Sequence, residues 1–361
     1  MGVLSSLTIK GKEIQYPIVQ GGMGVGVSRW QLASAVARVG GIGVISSAGL
    51  RTLWSVEQEK FYTTYEATMA EIKLAREYAQ GGFIAINIMQ ALLSSYEETI
   101  QAVFDAKVDA IIAGAGPHFA LPSFRPQNNT NTALIPIVSS TRALKIIIGK
   151  WLKYGYKPDA IIIEGPLAGG HLGFRIDELE KPENKLENLL IDALNFLYMN
   201  GYEKIPVIVA GGIYTHEDIV RFINLGASGV QIATRFLVTD ESSAPDAYKR
   251  VIITATVDNI VVSSGSPCGM PFRTRRDSPA LTIPRTPKCR WHYCRLPDSR
   301  DKTLKCKAEN DPNFFCICEG LLASAECIEN KPSLYTMGAN AYRVNETTTV
   351  RELMRELTGN F

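Results

Sequence analysis

The first 267 residues contain no cysteine, and the whole chain has only four histidines. No run approaches the roughly 18 consecutive apolar residues that a membrane span needs, so no membrane-spanning segment is expected. Met1 to Lys10 has no basic stretch leading into a long apolar one, so no export signal is expected either. The formal charge is only +2, and hydrophobic residues make up 46% of the chain. That balance argues against a nucleic-acid binder and against a disordered chain. Internal repeats and low-complexity tracts are missing as well. What is left is the expectation of a cytoplasmic globular enzyme. Its 361 residues suffice for one large core, or for a core with a smaller satellite.

The cysteines are all late: Cys268, Cys289, Cys294, Cys306, Cys316, Cys318 and Cys327. A disulfide framework would go with export, which is not expected here. The spacing Cys289-x4-Cys294-x11-Cys306-x9-Cys316 matches neither a standard zinc ribbon nor a bacterial ferredoxin run. Four thiolates within 28 residues can still close around one metal centre. The alternative is a set of free thiols in a loop-rich segment. Cys318 and Cys327 border helix-like sequence and read as packing residues. The same segment is basic, with eleven Lys or Arg and three Asp between Met270 and Lys307. Such a run is either a solvated face or a docking surface for an acidic partner, with Arg273, Arg275 and Arg276 as candidates.

Eight short strand-like runs alternate with helical patterns. The runs are Ile18–Gln20, Gly43–Ser47, Phe83–Met89, Ala110–Gly116, Ile135–Ser140, Ala160–Gly165, Pro206–Gly212 and Val230–Leu237. Most are continuous and rich in Ile and Val, as parallel strands covered on both faces are. The clearest helices are Trp30–Val39, Glu57–Tyr78, Ala143–Lys153, Leu186–Met199 and His216–Leu225, the last capped by Thr215 with Asp218 as its acidic partner. Eight β/α units predict an α/β fold of the TIM (β/α)8 barrel type, with a doubly wound open sheet as the alternative. The expected organisation is a barrel over residues 1–239, an inserted cysteine-rich lid or substrate domain over 240–334, and a return to the barrel over 335–361. Val350 to Leu357 would be the eighth barrel helix.

Candidate site residues sit at the strand ends. Ile161 through Gly173 carries an apolar strand into a Gly-rich loop with one histidine, His171, which suits a general acid or base. His118 is a weaker candidate at the fourth strand end, and His216 reads as a helix start on the surface. His292 lies among the cysteines. Glu164 would bond a cofactor or fix a loop amide. Gly21, Gly22 and Met23 follow the first strand, where glycine lets backbone lie against a flat ring or simply turns into a helix. Asn87 is a buried amide in need of partners, from a flavin edge or from neighbouring backbone. Small residues end strands seven and eight, at Ala210, Gly211 and Gly212 and at Gln231, Ala233 and Thr234. Their backbone N–H groups suit a phosphate.

Taken together, these motifs resemble the nitronate monooxygenase/2-nitropropane dioxygenase superfamily of FMN-dependent TIM barrels, which also includes a flavin-dependent enoyl-ACP reductase. The specific points are Gln20 to Gly24, Asn87, Glu164 to Gly173, Ala210 to Ile213 and Gln231 to Phe236. The resemblance implies FMN, held by the residues above together with Gly169 and Gly170, and His171 as the catalytic base. Glu164 to His171, the four-cysteine lid and Gly338 to Val344 are similar to the decanoyl-ACP dehydrogenase/isomerase branch of unsaturated fatty acid synthesis. That similarity implies a 4Fe–4S cluster on Cys289, Cys294, Cys306 and Cys316, and an acyl carrier protein with a medium-chain acyl group as partner. The alternative is a small nitronate as substrate. Neither reading involves nucleic acid, and both are compatible with a homodimer.

Overall fold

The structure is a computed structural model that describes residues 4–90, 95–127, 131–266, 269–282 and 317–360. Its strands are β1 (Leu7–Ile9), β2 (Lys12–Ile14), β3 (Ile18–Gln20), β4 (Ile42–Ser46), β5 (Phe83–Met89), β6 (Ala110–Gly114), β7 (Ala133–Val138), β8 (Ile161–Glu164), β9 (Gly170–His171), β10 (Val207–Ala210), β11 (Gly229–Ile232), β12 (Ile260–Ser263) and β13 (Phe272–Arg275). Eight of them, β3 to β8 with β10 and β11, close into one parallel barrel. These are the eight runs expected from the sequence, so the barrel holds and the open sheet does not.

Alternation along each strand divides two cores. Val19, Val44, Ala85, Ile112, Ile135, Ile162 and Ile208 fill the barrel. Their neighbours, among them Ile18, Ile45, Ile84, Ile111, Leu134, Ile163 and Val209, face the helices. A hairpin of β1 and β2 was not expected from the sequence. Its Leu7, Ile9 and Ile14 join the inner cluster. Lys10 pairs with Asp159 at 3.2 Å and Lys12 with Asp109 at 3.0 Å, next to the starts of β8 and β6. The N-terminal end of the barrel is thereby stoppered, and the C-terminal end is left for function.

The helices are α1 (Trp30–Arg38), α2 (Leu50–Glu57), α3 (Thr64–Ala79), α4 (Tyr96–Asp105), α5 (Thr141–Trp151), α6 (Leu186–Met199), α7 (His216–Asn224), α8 (Thr234–Leu237) and α9 (Asp246–Ile253), then Pro279–Thr282, Ile317–Ser324 and Val350–Thr358. Two expectations need correction. The single helix over Glu57–Tyr78 is two, because Thr63 caps a new start: its hydroxyl accepts from Glu66 N–H and the Glu66 carboxylate accepts from Thr63 N–H. The eighth strand stops at Ile232 rather than Leu237. Thr234 opens the short α8, and Arg235 leaves the sheet to pair with Glu356 at 2.7 Å. The Thr215 capping box is present, and Val350–Thr358 packs against α1 and α7 as the eighth barrel helix.

The inserted segment has more regular structure than its sequence shows. β13 pairs antiparallel with β12 on one side and with β9, the strand of His171, on the other. Phe272, Ala280, Ile317 and Leu334 form a small satellite core. Cys318 and Cys327 are half-buried against the main core, as packing residues. Cys268, Cys289, Cys294, Cys306, Cys316 and His292 lie outside the described residues. Among the described residues no helix is long and apolar enough to cross a membrane.

One buried ion pair fastens the first helical layer. Glu71 is fully buried and accepts from Arg29 Nε and Nη2, from Trp30 N–H and from Trp54 Nε1. Removing Glu71 leaves Arg29 with only the half-exposed Glu57 on Nη1 and orphans the Trp30 and Trp54 donors, at a cost of about 3–5 kcal/mol. Glu71→Ala is expected to lower the denaturation midpoint accordingly. An unchanged midpoint in a urea titration would refute this role.

Candidate active site

A cavity of about 460 Å³ opens at the C-terminal end of the barrel. It is lined by Gly21, Gly22, Met23, Asn87, Glu164, Gly169, Gly170, His171, Ala210, Gly211, Gly212, Gln231, Ala233 and Thr234. The candidate catalytic and cofactor residues are therefore brought together from five strand ends and β9.

The floor is shaped for a flat polar ligand. A side chain at Gly22 would lie 2.4 Å from Asn87 Cβ, so only glycine leaves the backbone open to the cavity there. Asn87 is buried and its Nδ2 donates to Ile112 O at 3.1 Å, so one of its partners is backbone. Gln231 Oε1 is buried and has no hydrogen-bond partner among the described residues. An orphaned acceptor facing a glycine cradle fits a ring edge that donates N–H, as the flavin pyrimidine does. Gly211 and Gly212 both have positive φ, at +98° and +86°. Asn340 Nδ2 donates to Gly212 O at 2.6 Å, and Thr234 Oγ1 accepts from Gly338 N–H at 3.0 Å. Three loops thus converge where small residues and turns suit a phosphate. The residues present fit FMN.

Glu164 ends β8 facing this cavity. Among the described residues no group bonds its carboxylate, so the loop-amide alternative is not realised. Burial alone pushes its pKa up to about 7.

His171 owes its position to the inserted segment. It pairs in register with Phe272, and Gly170 with Arg273. Leu172 N–H donates to Pro271 O at 2.8 Å. Ser266 Oγ lies 3.4 Å from His171 Nε2, and the Phe272 ring meets the imidazole edge-on. Arg273 is buried and donates from Nη1 to Pro166 O at 2.7 Å and to Ala168 O. Desolvation lowers its pKa to about 10. The guanidinium thus straps the loop between β8 and β9. Ser139 Oγ donates to Gly173 O at 2.8 Å on the far side.

The other candidates separate from the site. His118 lines the cavity but is a scaffold group. Its Nδ1 faces Tyr96 OH at 2.7 Å and its Nε2 faces Gly114 O at 2.8 Å, while burial lowers its pKa to about 4. His216 is tied to the last helix through Leu357 O at 3.0 Å rather than free on the surface. Of the eleven basic residues expected to form a docking surface, Arg273, Arg275 and Arg276 are engaged within the fold, and the other eight lie outside the described residues. Arg273 is the strap, and Arg275 bonds Asp277, Val251 O and Thr254. Arg276 reaches Asp258 O. Sequence reasoning missed the roles of Ser266, Phe272, Arg273 and Asn340. The apolar run Ile260-Val261-Val262 was a strand signal that went unread, and nothing local announces that its hairpin partner also pairs with Gly170-His171.

The fold and site define a TIM barrel with a histidine held at the edge of a cavity lined by glycine-rich strand ends. Residues 5–360 match the family model described as nitronate monooxygenase, and the chain belongs to that family. Among curated relatives, it is 28% identical over 268 residues to a probable nitronate monooxygenase of Staphylococcus aureus (strain Newman), covering 69% of this chain and 72% of that one. It is 27% identical over 260 residues to the (3aS,4S,5R,7aS)-5-hydroxy-7a-methyl-1-oxo-octahydro-1H-indene-4-carboxyl-CoA dehydrogenase of Rhodococcus jostii (strain RHA1), covering 72% of this chain. The match spans 62% of the Rhodococcus protein and 64% of its Mycobacterium tuberculosis counterpart. Among solved structures, FabK from Thermotoga maritima superposes with a TM-score of 0.69 at 23% identity, over 96% of this chain and 93% of that one. Nitroalkane oxidase from Streptomyces ansochromogenes superposes with a TM-score of 0.65 at 20% identity, over 96% and 97%. These superpositions establish the shared fold.

Two outcomes follow. Arg273→Met frees the histidine loop, and a misplacement of about 1 Å costs on the order of 10²-fold in turnover. Steady-state assay with a flavin absorbance check should show that loss with flavin content retained; full turnover would refute the strap. Glu164 has a folded pKa above the ordinary carboxylate value of 4.5. The stability it contributes is therefore present below pH 4.5 and lost as pH rises through about 7. The flavin-free Glu164→Gln variant should gain thermal stability relative to the parent between pH 5 and pH 8. Parallel melting curves across that range would show that Glu164 is not buried uncharged.

Proposed function

We propose that this protein oxidises an acyl thioester at the α,β-carbons, as an FMN-dependent acyl-ACP dehydrogenase/isomerase. The observation that carries the reading is the cavity beyond the flavin cradle. Past His171 it is walled by Phe119, Ile146 and Ile147 on one side, and by Met270, Phe272, Ile317 and Leu321 on the other. A small nitronate would leave most of that apolar wall in contact with water, whereas a medium acyl chain covers it. A CoA-thioester dehydrogenase among the relatives supports the same substrate chemistry.

The protein's own groups supply binding and proton transfer. The Gly21–Met23 turn, Asn87 and Gln231 would hold the flavin ring, and Gly211, Gly212, Ala233 and Thr234 its phosphate. When bound, FMN takes up the electron pair that leaves with the β-hydrogen. The His171 imidazole removes the α-proton as that bond breaks. Ser266 and Phe272 hold the ring in position while it does so. After it has released that proton to solvent, the same imidazole takes a γ-proton from the conjugated product and returns it at the α-carbon, which moves the double bond. Four thiolates, Cys289, Cys294, Cys306 and Cys316, would hold a 4Fe–4S cluster; among the described residues there is no metal-binding group. Iron and acid-labile sulfide assays on anaerobic protein test that part.

The second reading is nitronate oxidation, favoured by the names of the relatives. Anaerobic mixing with a medium-chain acyl-ACP should bleach the flavin, and His171→Ala should slow bleaching by about 10²–10⁴-fold. Bleaching by alkyl nitronates alone would reverse the order of the two readings.

A further inference from the structure

The active-site cavity leaves the barrel sideways, and its exit runs along a helix of one charge. The lining continues from His171 past Gly173 and Ser139 to Ala143, Ile146 and Ile147 of α5, with Phe119 opposite. Ile146 and Phe119 are 42% and 38% exposed, so this end of the cavity reaches solvent. From Thr141 to Tyr154 the chain carries Arg142, Lys145, Lys150 and Lys153 and no Asp or Glu. Spacings of three and eight residues put Arg142, Lys145 and Lys150 on one face of α5 beside the cavity-lining Ala143 and Ile146, and Lys153 follows in the 3-10 turn that ends the helix. None of them makes an ion pair among the described residues. Lys145 and Lys150 instead lie over the rings of Phe196 and Phe119, at 5.3 Å and 5.5 Å from the centroids. The nearby acid Glu187 of α6 pairs with Arg221. By contrast, Arg273 and Arg275 of the inserted segment are engaged within the fold.

We infer that the outer face of α5 is the docking surface for an acidic carrier protein that delivers the thioester on a flexible arm through the Phe119–Ile146 exit. This rests on the thioester reading above. Three features select the occupant. The surface is basic and unpaired, which steers and orients an acidic partner. Its cations are spread over three helical turns, broader than a single phosphate needs. It borders the apolar channel that ends at His171, so a partner docked there can reach the base without passing the inserted segment.

The test uses the FMN-loaded full chain and one medium-chain acyl group on two carriers: an acidic acyl carrier protein, and the small thiol N-acetylcysteamine. Arg142→Glu, Lys145→Glu and Lys153→Glu, singly and combined, should raise KM for the carrier-bound substrate tenfold or more in the triple variant. Values for kcat and for the small thioester should stay at the parent level. Arg142→Lys should behave as the parent, and added salt should weaken only the carrier-bound reaction. Equal KM values for parent and triple variant on the carrier-bound substrate would overturn the surface while leaving the thioester reading intact. An equal loss on both substrates would also overturn it, by showing that α5 supports the fold or the channel instead. Failure of any thioester to bleach the parent flavin would take down the reading and the surface together.

Discussion

The site depends on one short antiparallel pairing, Gly170 and His171 against Arg273 and Phe272. The barrel by itself delivers β8 as far as Glu164 and then releases a loop rich in glycine. Such a loop has many accessible conformations. The pairing removes that freedom by giving His171 a strand neighbour, a ring contact and a hydroxyl within reach. Arg273 adds a cation that is costly to bury and is retained only because two loop carbonyls accept from it. The inserted segment is therefore part of the reaction geometry.

This arrangement separates two tasks. The barrel gathers strand ends into one cavity, where on the proposed reading the glycines, Asn87 and Gln231 would hold a flat ring and the β10 and β11 turns its phosphate. The inserted segment positions His171, the proposed base, and supplies apolar wall through Phe272, Ile317 and Leu321. Change in that wall could redirect the substrate without disturbing the flavin, which fits a family whose relatives are named for both nitronates and a CoA thioester. The N-terminal hairpin matters for the complementary reason. By packing into the other end it leaves the C-terminal strand ends to form the cavity.

The barrel was legible because its strands are continuous apolar runs bounded by turn residues. Burial on both faces leaves that mark in any order of side chains. The clustering of the candidate residues was legible too, since a barrel brings the C-terminal ends of its strands to one mouth. The hairpin β1–β2 was not, because three-residue strands carry almost no periodic signal. The helix over 57–78 was read as one because apolar spacing continues across the break, while the Thr63–Glu66 capping box that divides it is a local hydrogen-bond choice. The eighth strand was read too long because Arg235 and Phe236 continue an apolar pattern that the backbone leaves to make a tertiary ion pair. The strap and the lid sheet were invisible for a deeper reason. They join residues about a hundred positions apart, and the basic character of Arg273 pointed to a surface when its partners are buried carbonyls.

Hydrogen exchange across the histidine loop tests the central claim most directly. In the FMN-loaded protein, amides from Leu167 to Leu172 should exchange slowly, and Arg273→Met should speed them by at least about tenfold, the signature of local opening. The β8 amides at Ile161 to Ile163 should keep the parent rate in both proteins. Parent-like exchange of the loop in the variant would contradict the account, because the barrel alone would then be holding His171 in place.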